Sequence, residues 1–491
     1  MKRRQFIGAS LALAAAWPFR NLSAVLTDIG DLPAKTLAGG ELTLRGSSIE
    51  AFAASLRGDL LLPDHAEYDR TRRIWNAMFG GRPALIARCT GASDVRRAVD
   101  FAREHELLTA VRAGGHSFSG KSSCEGGLVI DLQSMQGVRV DPVARRAYLE
   151  AGSLLGQLDH ECAAFRLATT AGTVSHTGAA GLTLGGGFGR LGRRFGLACD
   201  NVASFDVVTA DGRFLHANSS ENPDLYWGLR GGGGNFGVVT LIEYAVHPMD
   251  PTILGGNIVW PMAQAREVLR WFRDHATTAP HVLNLEAMLA GGPDGPTVAI
   301  EVCWSGDHAE GETWLKPLRT FGKPVQDSVA PMPYVKIQQS ADAGTAAGGF
   351  YYAKNGFMTA LSDDGIDHLI DVFQRNPNLF FLFLDACDAA YHHMAADATA
   401  FPNRDANYWL GMIAGAGDRA AMQANIPKIR AAWRELEPLT KGFYTNLADP
   451  DATLQTYRQN YGANFERLVA LKAKYDPMNL FRLNANVPPK V

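Results

Sequence analysis

Two hydrophobic periods alternate along this chain, and the places where one gives way to the other mark its elements. Residues 84–90 (ALIARCT) form an apolar run of strand length, and Val95, Ala98, Val99 and Ala102 follow at helical spacing. That spacing predicts a helix from Asp94 to about His105, capped by Ser93, and then a second strand over 108–113. Further strands are predicted over 128–132 and 147–151, before a hairpin in which Asp211-Gly212 turns between FDVVTA and RFLHA. From about Pro251 the pattern changes. Longer helical stretches at 262–276, 362–375 and 418–437 interleave with apolar strands at 297–304 and 379–386. The class is α+β. A chain of 491 residues is too long for one core, since domains usually hold roughly 100–200 residues, so a division into two is expected.

Composition changes this little. With 46% hydrophobic and 20% charged residues the chain reads as an ordinary globular protein without repeats or low-complexity tracts. A net charge of -3 provides no field for phosphate backbones or anionic lipid, so nucleic acid is not an expected partner. The N-terminus adds more. Arg3 and Arg4 precede an apolar run, Phe6 to Trp17, which is shorter than the roughly 20 residues a membrane span needs, and small residues follow near Ala24. Residues 1–30 therefore read as a twin-arginine signal, with the export machinery as partner and the periplasm or exterior as destination. That route carries folded proteins, so any cofactor must be held tightly. Cys89, Cys124, Cys162, Cys199, Cys303 and Cys387 show no CxxC pairing and no histidines at ligand spacing, so no metal site is expected and buried thiols are.

Glycine is the one excess, 51 residues, concentrated at 114–127, 172–196 and 228–237. Two of these stretches imitate nucleotide sites. Gly115 to Ser122 (GHSFSGKS) matches the phosphate loop GxxxxGK[ST] and follows a strand. A phosphate loop also needs a helix starting at its Lys-Ser, with amides facing the phosphates, and here the chain runs on to another strand. An NTPase is the weaker reading. Gly187, Gly189 and Gly192 spell GxGxxG, but a glycine-rich loop precedes them and a hairpin replaces the βαβ unit that the motif requires.

Four motifs taken in order fit a different class. They are Arg112-Ala-Gly-Gly-His116-Ser followed by Gly127-Leu-Val-Ile-Asp131-Leu; the run from Gly172 to Arg190 with Asp200-Asn201 after it; Gly231 to Val239 (GGGGNFGVV); and Tyr475 to Asn486 (YDPMNLFRLNAN). Together, from about Tyr68 to Pro489, they resemble the berberine-bridge-enzyme-like group of FAD-linked oxidases, within the vanillyl-alcohol-oxidase type of flavoprotein. The resemblance implies a two-part PCMH-type FAD-binding domain over 31–250 and a substrate-binding domain over 251–440, built on an antiparallel sheet covered by helices. Residues 441–491 would then return to the FAD domain.

The resemblance also implies FAD as cofactor, bonded from His116 to the 8α-methyl carbon of the flavin ring. Many members add a second bond from the cysteine of a Gly-Thr-Cys-Pro segment. The matching Gly172-Thr173-Val174-Ser175 carries no thiol, so a single link is expected. Cofactor contacts fall on Arg112, Ala113, Gly114, Gly115, Ser117 and Phe118 of the first motif. In the second they fall on Gly172, Thr173, Val174, Gly178, Gly181, Leu182, Gly186, Gly187 and Gly189. Val238 in the third and Asn484 and Asn486 in the fourth complete the set. Chemistry points the same way, because FAD carries a doubly negative pyrophosphate on which glycine-rich backbone lets N–H groups converge.

A flavin accepts a hydride, and an alcohol yields one readily only as its hydroxyl proton leaves, so the site needs a base. The family's YxN motif places that role on Tyr444, in Tyr444-Thr445-Asn446. Free tyrosine ionises near ~10, so it needs a partner, for which Asp385 in FLFLDA is the candidate. Tyr352, Lys354 and Asn446 are further wall candidates, and Thr177 lies where a side chain gating oxygen would sit. The implied substrate is a small molecule with a hydroxyl, a sugar, aromatic or secondary-metabolite alcohol. Molecular oxygen then reoxidises the flavin to give hydrogen peroxide, or another acceptor does so in a dehydrogenase. Trp260, Trp271, Trp304 and Trp314 read as core rather than sugar platforms. A non-catalytic binding protein would be colourless.

Overall fold

The first strand–helix–strand unit forms where the spacing puts it. In the computed structural model, which describes residues 29–490, the strands are Leu85–Arg88 and Thr109–Arg112 and the helix is Ala92–Glu104. Val95, Ala98, Val99 and Ala102 are fully buried along one helix face. Ser93 is not the cap. It falls inside the first turn, and Gly91 precedes the helix without a side-chain cap bond. The Asp94 carboxylate instead accepts from the backbone N–H groups of Thr90, Arg57 and Gly58 at 2.9, 2.8 and 3.1 Å, tying the helix start to the neighbouring strands. Leu128–Asp131 lies between the two strands and parallel to both, with Asp59–Leu61 antiparallel at the edge. The glycine segment after Arg112 thus leaves from the carboxyl end of a parallel strand, where open α/β sheets bind ligands. No helix starts at Lys121-Ser122, and the chain runs to Leu128–Asp131, so the phosphate-loop match lacks its helix.

A second, antiparallel sheet follows in the order Phe214–Asn218, Val202–Val208, Val238–Ala245, Arg146–Glu150, Val138–Asp141. Its hairpin turns at Asp211-Gly212, where Gly212 takes a φ of 79°. The largest sheet is antiparallel throughout its main path, with Thr252–Pro261, Thr297–Trp304, Leu283–Ala290, Phe381–Ala386, Tyr408–Ala416 and Phe350–Met358 as successive neighbours. Alternation along these strands decides two faces. Leu285, Ala287, Ile300, Val302, Leu382, Leu384 and Leu410 pack with the helices Ala265–Ala276, Asp363–Gln374 and Arg419–Leu436 in one core. Ser362 and Asp418 cap the last two helices. Trp260, Trp271 and Trp304 lie in that core and Trp314 packs against it, as expected of core tryptophans.

The C-terminal residues Phe465, Leu468, Leu471, Tyr475, Leu480, Phe481 and Val487 join the core of the N-terminal sheets instead. A buried ion pair fixes this return. Lys472 Nζ lies 2.7 Å from Asp476 Oδ2 with both side chains fully inaccessible, and Asp476 also accepts from the N–H groups of Leu480 and Phe481. All six cysteines are buried and free. The twin-arginine segment lies outside the described residues apart from its last two positions. Among the described residues no helix is long and apolar enough to cross a membrane, and no cluster of ligands could hold a metal ion.

Candidate active site

A cavity of about 480 Å³ opens between the glycine segments and the uncovered face of the large sheet. Its two walls are built differently. The first wall is rich in glycine. Gly114 and Gly178 pass so close that a Cβ on Gly114 would sit 2.3 Å from the Gly178 Cα, which fixes the segment before His116 against the segment after Val174. Gly181 and Gly234 have another reason to be glycine. A Cβ at either would meet nothing within 4 Å, and both line the cavity, so it is the space for a bound molecule that lacks side chains here.

His116 sits at the join of the two walls. Its ring stacks on Trp75 with centroids 4.0 Å apart, and Trp75 stacks in turn on Tyr351 at 4.2 Å. Burial, helped by neighbouring His176, pushes the imidazole down to about 3, so it is neutral at any physiological pH. Its Nε2 is buried and has no hydrogen-bond partner among the described residues. His116 thus brings a neutral imidazole to the cavity lined by these glycines.

The second wall carries side chains. Glu301 faces Glu286 across one strand pair and Glu286 faces Asp385 across the next, with Trp409 beyond them, so three acids form a row over adjacent strands. Arg190 engages Glu301 through two bonds of 2.7 and 3.0 Å and also donates to Gln338 and the Thr173 carbonyl. Asp385 accepts from Asn284 Nδ2 at 3.2 Å and is 3% exposed. Burial, reinforced by Glu301 and opposed by the Asn284 bond, raises Asp385 to about 7. Glu286 is pushed well above the usual carboxylate range by burial and by Glu301 and Asp385. Beyond the acids the wall turns apolar, with Met288, Phe381, Phe383 and Ile413.

The predicted cofactor residues divide between cavity and support. Ala113, Gly114, Gly115, His116, Ser117, Phe118, Gly172, Thr173, Val174, Gly178, Gly181, Leu182, Val238 and Asn484 line the cavity, as does Thr177, the candidate for gating oxygen. Arg112, Gly186, Gly187, Gly189 and Asn486 do not. Gly189 lies against Ala171, where a Cβ would come 1.6 Å from the carbonyl oxygen, and Gly187 N–H donates to the Tyr444 phenol at 3.1 Å. Tyr444 and Asp385 share the cavity, yet no hydrogen bond joins them. The Tyr444 oxygen accepts from Gly187 N–H and from Asn446 Nδ2 at 2.6 Å, while burial raises its ionisation above the usual value. Tyr352 and Lys354 are not wall residues. Both turn to Asp449, the tyrosine at 2.8 Å and the lysine in an ion pair. The sequence reading missed Glu286, Glu301, Arg190 and Trp75. For the two glutamates a signal existed, one lone charge inside each apolar strand, LNLEAMLA and TVAIEVCW.

Comparison with known proteins assigns this arrangement of glycine loops facing an acid-bearing antiparallel sheet to a flavin-binding class. The chain matches the FAD binding domain family over residues 83–218 and the berberine and berberine like family over 443–488. It is 30% identical over 454 residues to an FAD-linked oxidoreductase of Dictyostelium discoideum, covering 90% of this chain and 97% of that protein. The crystal structure of 6-hydroxy-D-nicotine oxidase from Arthrobacter nicotinovorans superposes with a TM-score of 0.79 at 27% identity, over 89% of this chain and 99% of that one. A carbohydrate oxidase from Microdochium nivale, at 24% identity and a TM-score of 0.81 over 90% and 100% of the two chains, is alike in fold. This chain therefore belongs to the berberine-bridge-enzyme-like family of FAD-linked oxidoreductases.

Proposed function

We propose that the protein oxidises the hydroxyl of a compact aromatic or alicyclic alcohol to a carbonyl, using FAD held by a single covalent bond to His116. Molecular oxygen takes up the two electrons and leaves as hydrogen peroxide. The observation that carries this reading is one cavity shared by a half-buried, neutral His116 and by Asp385, whose ionisation near 7 suits a base. FAD, when bound, supplies the hydride acceptor.

The chain's own residues do the rest. Asp385 removes the hydroxyl proton as the hydride leaves carbon. Tyr444 has both acceptor positions filled by N–H donors, so its own O–H is free to hold the substrate oxygen. Met288, Phe381, Phe383 and Ile413 favour an apolar body over a long sugar chain. The folded, flavin-loaded enzyme would leave the cytoplasm by the twin-arginine route. A second reading, oxidation of an amine, is favoured by the acid row. Glu301 and Asp388 engage the nearby Arg190 and Arg193, and among the described residues Glu286 and Asp385 have no cation of their own.

Acid-denatured protein run on a gel tests the attachment: flavin fluorescence should travel with the wild-type chain and be absent from His116→Ala. Fluorescence retained by the variant would place the bond elsewhere. A screen of aromatic alcohols, sugars and amines with peroxide detection tests the reaction. Turnover of amines alone would favour the second reading, and dye reduction without peroxide would mark an acceptor other than oxygen.

A further inference from the structure

We propose that Glu286 sets the substrate preference of this site by donating a hydrogen bond to a second substrate oxygen, so that favoured substrates carry oxygens on two neighbouring carbons, as in a 1,2-diol or an α-hydroxy ketone. The inference rests on the alcohol oxidation proposed above and narrows its substrate class. Glu286 is the middle member of the acid row, directly opposite Glu301 on one neighbouring strand and Asp385 on the other. All three line the cavity. Residues directly opposite on one sheet face have Cβ atoms about 4.5–5.5 Å apart, so these carboxyl groups are neighbours, and like charges at that spacing repel.

A count of charges decides which acid stays neutral. Arg190 spans both oxygens of Glu301, at 2.7 and 3.0 Å, and Arg193 is bound to Asp388. No ion pair among the described residues reaches Glu286 or Asp385. His116 is neutral and Tyr444 keeps its proton, so neither supplies a positive charge from across the cavity. Two adjacent carboxyls without a cation hold one proton between them. Glu286 keeps it, because an acid flanks it on both sides whereas Asp385 stands at the end of the row. Burial and those two neighbours push Glu286 well above the usual carboxylate range. A protonated carboxyl has what an ionised one lacks, an O–H to donate. The row therefore sets a donor beside a base. Asp385 takes the proton of the hydroxyl being oxidised, and Glu286 holds the oxygen on the next carbon. Met288 and Phe383, opposite each other one step along the same two strands, continue the wall as apolar surface for the carbon body.

The holoenzyme is mixed anaerobically with 1,2-cyclohexanediol, cyclohexanol and 2-aminocyclohexanol. Half-saturation is read from the perturbation of oxidised flavin absorbance, and the limiting rate from the reduction that follows. The diol should half-saturate the wild type at about 10-fold lower concentration than cyclohexanol, the range for one added hydrogen bond in a desolvated site. Glu286→Met should bring the diol to the level of cyclohexanol and leave cyclohexanol itself unchanged. Glu286→Gln, whose amide N–H still donates, should keep most of the preference. Equal half-saturation by diol and cyclohexanol in the wild type, or equal weakening of both in Glu286→Met, would overturn the inference while leaving the reaction in place. Tighter binding of the amino alcohol than of the diol, lost in Glu286→Gln, would show an ionised Glu286 and overturn it as well. A diol preference without flavin reduction would instead overturn the proposed reaction and leave Glu286 as the residue that reads the second oxygen.

Discussion

The two walls of the cavity solve recognition in opposite ways. The glycine wall meets its ligand with main chain, so its residues are chosen for what they lack, and any added atom has an immediate cost. The sheet wall meets its ligand with side chains raised on a rigid antiparallel frame, so its residues are chosen for charge and are costly to the fold. Cofactor binding and substrate chemistry are thereby separated into substitutions that cannot be made and substitutions that the fold would welcome.

The largest expected effect lies on the glycine wall. Gly114→Ala puts a Cβ within 2.3 Å of backbone at Gly178, where no flexible side chain can give way. Flavin absorbance per chain should drop to roughly a tenth or less of the wild-type ratio, with reduced stability. Gly181→Ala sharpens the contrast, because its Cβ meets only cavity. Its melting temperature should stay within a change worth roughly 0.5 kcal/mol while flavin content falls. If Gly114→Ala binds flavin normally, the glycine wall is not a close-packed cradle.

Next comes the sheet wall. Asp385→Asn keeps shape and removes the base, so stopped-flow flavin reduction should slow by about 10²–10⁴ with flavin content unchanged. In the wild type the same rate should rise with pH to a plateau above about 7, since only the ionised carboxylate accepts a proton. An unchanged rate in the variant would leave Tyr444 as the base.

These walls were unequally legible in the sequence. The glycine segments of the first wall stood out in the sequence, because close backbone approach admits only one residue type and leaves a contiguous motif, although Gly186, Gly187 and Gly189 proved to lie off the cavity and Gly234 on it was not singled out. The helices Asp363–Gln374 and Arg419–Leu436 were likewise found from spacing. The sheet wall was not, because the row of Glu301, Glu286 and Asp385 exists only through the pairing of three strands separated in sequence. Asp385 alone was picked out. Tyr352 and Lys354 went wrong by one position of register. They share a face of strand Phe350–Met358, while Asn355 on the opposite face donates to the Tyr444 and Leu447 carbonyls beside the cavity. Trp75 carried no local signal at all, since its partners His116 and Tyr351 lie far along the chain.

The smallest effect tests whether the sheet wall really burdens the fold. Asp385 ionises near 3.8 when free and near 7 in the folded protein, so between those values the native state holds a proton that the unfolded chain has released. Stability therefore falls as pH rises through that window, and the loss is complete above it. Asparagine at this position does not titrate. Asp385→Asn should match the wild type most closely near pH 4, gain on it as pH rises, and hold a constant lead above about 7. That lead should be on the order of 1–3 kcal/mol, or a few degrees in melting temperature. Calorimetry across this range decides the matter. A variant no more stable than wild type at pH 8 would mean that the acid row is already compensated within the protein, and that the price attributed to the sheet wall is not being paid.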